Sequence, residues 1–400
     1  MINKKAMELG NNPSVIRDLF EYGKIRKQEI GENNVFDFSI GNPSVPPPQC
    51  VTDSLINLLN HSEPTSLHGY TSAVGDKKVR DQISQYLNST YKAKTSGDYI
   101  YLTAGAAASL TITLNAILNN GDEVIVFAPF FPEYTVFIEK AGGVVKIVKP
   151  VEPTFKPDFN ELKRSITNKT KAIIINSPNN PTGTVLNETD ILKLTNILNE
   201  KQKEYSSHLY LISDEPYREL LYSDSKYPFI TNYYTNSIIC YSFSKSISLP
   251  GERIGYILVN PNCENIKEVF YAICGAGRSL GFVCAPAIFQ YLIQYCLGQV
   301  ADISIYKNNR DLLYNSLTTF GYEVVKPDGA FYLFVKALES DASKFSEVAK
   351  RYELLLVPSD SFGYKGYVRI SYCVSNEQIK NSLPAFEKLI NYYKRENKND

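Results

Sequence analysis

The residues with the clearest chemical signature in this sequence lie between positions 242 and 253. There the chain reads Ser-x-Ser-Lys-x-x-x-x-Pro-Gly-x-Arg, with the lysine at 245 and the arginine at 253. Six fixed residues at this spacing are expected by chance in about one sequence of this length in 10⁵. A Ser-x-Ser-Lys segment alone is a weak signal, and a single lysine is most often a solvated surface charge. The complete pattern, rather than any one of its residues, therefore indicates a functional site.

Lys245 and its neighbours combine a nucleophilic amine with an anion site. Ser242 and Ser244 offer hydroxyl groups, and Arg253 offers a guanidinium fork that forms charge-assisted hydrogen bonds to phosphate. The amides of Ala106–Ala107, where a predicted helix begins, add backbone donors and the positive end of the helix dipole. An amine beside a phosphate site is suited to forming an imine with a phosphorylated aldehyde.

Asp214 follows a predicted strand and opens the segment Asp-Glu-Pro-Tyr. An aspartate in this position commonly caps the next helix. Beside an imine-forming lysine, its carboxylate would also hold a protonated ring nitrogen in place. A phosphate, an aldehyde and a pyridinium together describe pyridoxal 5'-phosphate, whose usual protein partners are a Schiff-base lysine and an acid at the ring nitrogen. The sequence therefore predicts this cofactor.

These residues follow short apolar segments that have the pattern of buried strands. The predicted strands are 99–103, 123–127, 144–148, 172–176, 209–213 and 238–241, and the clearest helical pattern between them is 187–198. Strands that alternate with helices predict an α/β fold, with a mostly parallel sheet and helices on both faces. Ligands of such sheets bind outside the carboxyl ends of the strands, which is where the chemical residues lie.

The length of 400 residues predicts two domains, because single cores stop growing at roughly 250–300 residues. The run Val45–Pro48 reads as a stiff connector and a boundary. After about residue 285 the alternation of strands and helices gives way to helix patterns mixed with short strands. We therefore expect a large domain over 46–285, and a smaller α+β domain built from 1–45 and 286–400.

Composition excludes several classes of function. The 42 Lys+Arg balance the 42 Asp+Glu, whereas nucleic-acid binding and polybasic membrane patches show a basic excess. Seven cysteines without a Cys-x-x-Cys pair are expected to be reduced thiols, which together with the absence of a signal-peptide pattern predicts a cytoplasmic protein. Three histidines without ligand-like spacing favour no metal site.

At these residues the sequence resembles the class I/II aminotransferases, which are pyridoxal-phosphate enzymes of fold type I related to aspartate aminotransferase. The resemblance covers residues 36–390 and implies a homodimeric enzyme that moves an amino group between an L-amino acid and a 2-oxo acid. Lys245 resembles the lysine that carries the cofactor as a Schiff base and moves the substrate proton. Asp214 resembles the partner of the pyridine nitrogen.

The resemblance implies further cofactor contacts. Asn180, in Asn-Pro-Thr-Gly, and Tyr217 match the pair that binds the phenolic oxygen, although a lone Asn-Pro-Thr-Gly is usually a turn. Phe131 lies where the family stacks an aromatic ring on the pyridine, with a core phenylalanine as the alternative. Tyr70 resembles the tyrosine that reaches the phosphate of a neighbouring subunit. The phosphate clamp is matched by Ser242, Ser244, Arg253, Ala106 and Ala107.

Substrate binding is implied at two positions of the predicted smaller domain. Arg369, in Gly-Tyr-Val-Arg-Ile-Ser, matches the arginine that grips the α-carboxylate, and its planar fork suits a bidentate carboxylate contact. Gly41, in Ser-Ile-Gly-Asn-Pro, matches the glycine whose backbone lies near the same group. Because both belong to that domain, the smaller domain is expected to close over the substrate.

Two features depart from the family pattern. Alanines stand at 106–108, where a hydroxyl is common, and Ser359 follows Pro358 where a glycine is common. The first suggests a weaker phosphate clamp on that side.

The same residues could support carbon–sulfur β-lyase chemistry. A non-catalytic cofactor-binding module, as in transcription regulators that carry a DNA-binding domain, is not expected, because the residues before the proline run show no basic excess. The sequence does not identify the amino donor or acceptor. Arg278 either binds the side-chain carboxylate of a dicarboxylic substrate or belongs to the subunit interface or the phosphate site.

Overall fold

The computed structural model describes residues 2–11, 14–222 and 226–396. By its internal contacts the chain divides into two compact units. The smaller unit consists of Met1–Ser44, Asn180–Gly183 and Ser304–Asp400, and the larger one of Val45–Asn179 and Thr184–Ile303. The predicted domain boundaries at residues 45 and 285 stay a prediction.

The described part of the larger unit contains a sheet of seven strands. Across the sheet they are Ile100–Thr103, Gly255–Val259, Ser237–Ser242, Tyr210–Asp214, Thr170–Asn176, Glu123–Phe127 and Val144–Val148. Gly255–Val259 runs antiparallel to both of its neighbours, and the other pairings are parallel. The prediction of a mostly parallel sheet is confirmed.

Both faces of this sheet are covered. Four strands are buried at every position: Ile100–Thr103, Tyr210–Asp214, Ser237–Ser242 and Gly255–Val259. Because consecutive residues of a strand point to opposite faces, such strands need packed elements on both sides. Side chains of strands and helices, among them Leu102, Leu194 and Ile239, join in one buried apolar cluster.

The helices of the larger unit mostly connect or flank these strands. They are Gln49–His61, Pro64–His68, Lys77–Tyr91, Ala106–Ile117, Glu133–Lys140, Phe159–Ser165, Glu188–Tyr205, Phe243–Ser246, Ile266–Ser279 and Ala287–Cys296, with 3₁₀ turns at Gly97–Tyr99 and Ile230–Asn232. A two-stranded ladder pairs Pro150–Val151 with Lys156–Pro157. The predicted helix start at 187 is confirmed by a capping box, in which the Asn187 and Asp190 side chains each accept from the other's backbone N–H at 3.0 Å.

The smaller unit has its own antiparallel sheet. Its strands, in order across the sheet, are Val324–Val325, Tyr332–Lys336, Tyr367–Ser371 and Val357–Pro358. The helices of this unit are Lys4–Asn11, Val15–Ile30, Ser304–Phe320, Ala342–Lys350 and Asn376–Glu396, with 3₁₀ turns at Glu32–Asn34 and Ser359–Phe362. A parallel ladder pairs Phe36–Asp37 with Leu354–Leu355. It connects the N-terminal segment of the smaller unit with the C-terminal one.

Within the described residues, no helix is long and apolar enough to cross a membrane. The same residues contain no group of His, Cys, Asp and Glu side chains arranged to hold a metal ion. The seven cysteines, all at described positions, are free thiols.

Candidate active site

Two neighbouring strands of the large sheet bring chemical residues to one edge. In the parallel ladder Asp214, the last residue of its strand, is paired with Cys240. Two residues beyond Cys240 the second strand ends at Ser242, and the chain turns into the short helix Phe243–Ser246, which carries Lys245. The register therefore places Asp214 and Lys245 at the carboxyl edge, where ligands of α/β sheets bind.

Two serines and an arginine form a polar cluster at this edge. The hydroxyl oxygens of Ser242 and Ser244 are 2.7 Å apart. From Arg253, Nη1 donates to Ser244 Oγ at 3.4 Å and to the Pro250 carbonyl at 2.9 Å, and Nη2 donates to the Ala104 carbonyl at 3.4 Å. Two hydroxyls and a guanidinium held together in this way are suitable donors for a phosphate.

The glycine at position 105 lies between this polar cluster and the start of a helix. Gly105 has a φ of +83° and precedes the helix Ala106–Ile117, and a Cβ at this position would lie 2.5 Å from Arg253 Nη2. Glycine is therefore needed both for the backbone conformation and for the close approach of the guanidinium. It has no side chain to cap the helix, and Ala106 and Ala107 are at least partly exposed. Their amides can bind an anion beside Arg253.

The carboxyl group of Asp214 is buried and only half paired. Its Oδ2 accepts a hydrogen bond from the Tyr134 hydroxyl, whereas Oδ1 has no hydrogen-bond partner among the described residues. Burial raises the pKa of Asp214 to about 7; the Tyr134 hydrogen bond lowers this pKa and the charge of Glu215 raises it. An unpaired buried carboxylate oxygen costs free energy. A cationic N–H donor at this oxygen would remove that cost.

Sequence reasoning missed Tyr134. It lies three residues after Phe131, and the two rings meet edge to face with centroids 5.7 Å apart. Phe131 is half-buried and Tyr134 is buried. The Tyr134 backbone N–H donates to the Phe131 carbonyl at 3.0 Å, in the turn that leads into the helix Glu133–Lys140. The Pro132 of this turn, between the two aromatic residues, is the signal that could have found the pair.

The other residues of the larger unit that were predicted to contact the cofactor differ in how far their side chains are exposed to solvent. Tyr217, three residues after Asp214, is buried, and Lys245 is half-buried. Ser242 Oγ accepts from the Ser244 backbone N–H at 3.2 Å, which caps the short helix that carries Lys245. Tyr70 is 98% exposed, and no ring contact or hydrogen bond of its side chain occurs within the described chain.

In the smaller unit the predicted Arg369 and Asn180 are brought together. Arg369 is buried, and its Nη1 donates to Asn180 Oδ1 at 3.1 Å. Nη2 donates to the carbonyl of Ser39, two residues before Gly41. The guanidinium lies over the rings of Tyr332 and Phe362, at 4.7 and 5.2 Å from their centroids. The two rings and the two hydrogen bonds fix the plane of the fork.

Gly41 is required by a close approach in the same unit. A Cβ at this position would lie 2.0 Å from the Tyr332 hydroxyl oxygen and 3.0 Å from the ring of Phe331. Any side chain would therefore push away Tyr332, the ring on which Arg369 is stacked.

The chain matches the family model "aminotransferase class I and II" over residues 33–386. The chain belongs to the class I and II aminotransferases. The predicted family and fold class are thus confirmed, and so is the predicted aminotransferase activity.

This aminotransferase is similar to proteins with different named activities. It is 29% identical to an aspartate aminotransferase of Thermotoga maritima, over 98% of this chain and 100% of that one. It is 32% identical to a (5-formylfuran-3-yl)methyl phosphate transaminase of Methanocaldococcus jannaschii, over 92% and 94% of the two chains. A crystal structure of an amino transferase from Eubacterium rectale shares 50% identity and a TM-score of 0.96, and the match covers 98% of this chain and 99% of that one.

Proposed function

We propose that this aminotransferase uses pyridoxal 5'-phosphate, and the observation that carries the proposal is the buried, half-paired carboxyl of Asp214. Its Oδ1 lacks a partner among the described residues and is suited to a pyridinium N–H. The phosphate donors Ser242, Ser244 and Arg253 lie at the same edge, next to the open helix start at Ala106. When bound, the cofactor supplies an aldehyde that condenses with amines and a ring that accepts the electron pair from the substrate α-carbon.

Several residues would hold the cofactor. Ser242, Ser244, Arg253 and the amides of Ala106 and Ala107 bind the phosphate in this proposal. Asp214 keeps the ring nitrogen protonated, and Phe131 packs against the ring. Asn180 and Tyr217 bind the phenolic oxygen.

Lys245 attaches the cofactor and then carries the proton. Its Nζ would hold the cofactor and, once free, would remove the proton from the substrate α-carbon and hold it for transfer. In a second half-reaction the same amine moves a proton in the opposite direction. The enzyme therefore alternates between two forms and follows ping-pong kinetics.

Arg369 is proposed to bind the α-carboxylate of the amino acid and of the 2-oxo acid. Support comes from the guanidinium plane that Ser39, Asn180 and the two rings fix. A preformed fork binds a carboxylate without losing side-chain freedom. Because Gly41 has no side chain, the Tyr332 ring can keep its position under the Arg369 guanidinium.

A homodimer is also part of the proposal. Tyr70 is 98% exposed. A tyrosine ring that is exposed to this extent is available to contact a neighbouring subunit. In the dimer the Tyr70 hydroxyl would bind the cofactor phosphate of the other subunit. Each site would then depend on assembly.

The test is to mix the purified protein with pyridoxal 5'-phosphate and then with a panel of L-amino acids. A visible absorbance band of the protein-bound cofactor is expected. One equivalent of 2-oxo acid should be released without an acceptor, and continuous turnover should need 2-oxoglutarate or pyruvate. A protein without the band contradicts the cofactor assignment. Continuous release of pyruvate and ammonia from cysteine or cystathionine without an acceptor would instead show β-lyase chemistry.

The panel also addresses the substrate side chain. The relative named aspartate aminotransferase makes aspartate the first donor to compare with alanine. Arg278 is exposed in the last turn of the helix Ile266–Ser279. Loss of aspartate turnover alone in Arg278→Ala would assign the side-chain carboxylate to this residue. Equal loss for both donors would assign it to the interface or the phosphate.

Arg369→Lys is expected to lower kcat/KM for amino acids by about 10²-fold, mainly through a higher KM. A lysine keeps the charge but loses the planar fork that forms two parallel hydrogen bonds. Steady-state kinetics with the best donor of the panel measure the effect. Arg26→Lys is the matched control, because Arg26 forms a forked pair with Glu353 in the same unit. An unchanged KM in Arg369→Lys would show that the carboxylate binds elsewhere.

A further inference from the structure

A buried arginine follows the segment that carries Asp214 and Tyr217. Arg218 is 1% exposed, and its Nε donates to Glu215 Oε2 at 2.6 Å. Glu215 is completely buried. The ion pair joins residues three positions apart and therefore bridges the two ends of the segment 215–218, which directly follows Asp214. A buried ion pair is costly to form, and removing one partner leaves an uncompensated charge.

Aromatic rings enclose the Arg218 guanidinium. Its central carbon lies 4.2 Å from the ring centroid of Tyr241, 5.3 Å from that of Phe229 and 5.6 Å from that of Tyr91. Nη2 donates to the Tyr256 hydroxyl at 3.1 Å. A desolvated cation over aromatic faces is held in one orientation more firmly than an exposed one.

Tyr241 connects this arginine to the Lys245 segment. It directly precedes Ser242, and its hydroxyl lies 2.9 Å from Ser246 Oγ, one residue after Lys245. On the other side the backbone N–H of Glu215 donates to the carbonyl of Cys240 at 2.9 Å. Arg218 and Glu215 therefore join the segment that carries Asp214 to the strand and helix that carry Ser242 and Lys245.

A second carboxyl group lies beside the arginine. Glu219 Oε1 is 3.9 Å from Arg218 Nη1 and 3.0 Å from the Tyr241 hydroxyl. Burial raises the pKa of Glu219, while the charge of Arg218 lowers it. The Tyr241 hydroxyl therefore connects Glu219 to the ring over which the Arg218 guanidinium lies.

We propose that Arg218 and Glu215 are positioning residues of the reaction, whose ion pair fixes Asp214 and Tyr217 relative to Ser242 and Lys245. The inference rests on the proposed roles of Asp214 and Lys245. Neither Arg218 nor Glu215 touches the reacting atoms in this scheme. A displacement of about 1 Å at a reacting group costs about 10²-fold in rate, which is the effect that loss of the pair should have.

Two variants separate a loss of positioning from a loss of stability. Arg218→Met removes the cation and leaves the Glu215 charge buried, so both the melting temperature and kcat should fall, kcat by about 10²-fold. The double variant Glu215→Gln/Arg218→Met also removes the buried charge of Glu215 and should regain part of the melting temperature. Its kcat should stay at least about tenfold low, with KM for the amino donor within about twofold. The visible band of its bound cofactor should be shifted.

Arg80→Met is the matched control. Arg80 is 7% exposed in the same unit and donates to the carbonyls of Gly75 and Gly97. Its loss should lower the melting temperature and leave kcat and the cofactor spectrum unchanged. A double variant that regains both melting temperature and kcat would overturn the proposal, as would an Arg80→Met protein with the same loss of kcat.

Hydrogen exchange of the cofactor-free protein makes the test independent of the proposed chemistry. In the double variant the backbone amides of Asp214, Glu215 and Tyr217 should exchange at least about tenfold faster than in the wild type, whereas those of 100–103 should not change. Unchanged exchange at 214–217 would overturn the positioning role. A wild type without cofactor absorbance would refute the proposed cofactor instead, and the exchange result would still decide whether the pair fixes this segment.

Discussion

Lys245→Ala is expected to abolish amino-group transfer and to leave the fold intact. Proton transfer by a positioned side chain contributes about 10²–10⁴-fold, and Lys245 is proposed both to carry the proton and to attach the cofactor. The rate should therefore fall by about 10⁴-fold or more. Lys245 is half-buried in a helix of four residues, and alanine favours helix, so little stability should be lost.

Borohydride reduction followed by mass spectrometry provides a second readout. Reduction traps a cofactor that is bound to a lysine, so the wild-type protein should gain the mass of the cofactor on the peptide that contains Lys245. The alanine variant should gain no mass. Lys193→Ala is the control, because Lys193 is exposed on the helix Glu188–Tyr205 and should keep both activity and label. Labelling of another lysine in the wild type would contradict the assignment.

Sequence patterns predicted strands that contain runs of β-branched residues and a helix that begins with a capping box. The strands at 123–127 and 144–148 have the predicted bounds, and the helix after Asn187 begins at its capping box. The strand Gly255–Val259 was not predicted. It begins two residues after the Pro-Gly-Glu-Arg segment, whose composition is that of a turn. Its place in the sheet, antiparallel to both neighbours, depends on pairing with the strand that ends at Thr103, which is distant in sequence, as well as with the strand that ends at Ser242.

The site residues that could be predicted from local sequence are those that lie together in one short motif. Lys245 and Arg253 belong to such a motif, and Arg253 does contact Ser244. The contact of Tyr134 with Asp214 joins residues 80 positions apart, and the contact of Arg369 with Asn180 joins residues 189 apart. These pairings follow from tertiary packing, which local spacing does not encode.

Asp214→Asn is expected to lower kcat by about 10³-fold, because a neutral amide cannot hold a proton on the ring nitrogen while charge develops there. Asparagine has nearly the same shape as aspartate and can still accept the hydrogen bond from Tyr134. The loss should therefore appear in kcat more than in the binding of the amino donor. A variant that retains a tenth of the wild-type kcat would contradict the pyridinium role.

The same substitution should stabilise the cofactor-free protein above neutral pH. Burial raises the pKa of Asp214 from 3.8 to about 7, so the folded state binds its proton more tightly than the unfolded chain does. Cofactor-free wild type should therefore lose stability as pH rises from about 4 through about 7, and Asp214→Asn, with no charge to bury, should not. At pH 8 the difference should be on the order of 4 kcal/mol, since each pKa unit corresponds to about 1.36 kcal/mol.

Urea unfolding of both cofactor-free proteins at pH 4, 6 and 8 measures this difference. Asp190→Asn is the control: Asp190 is also buried but lies 2.6 Å from Lys156 Nζ and caps a helix, so its neutralisation should destabilise the protein. Added pyridoxal 5'-phosphate should stabilise the wild type more than Asp214→Asn, because only the carboxylate pairs with the ring cation. Equal stability of the two cofactor-free proteins at pH 8 would show that Asp214 is already paired before the cofactor binds.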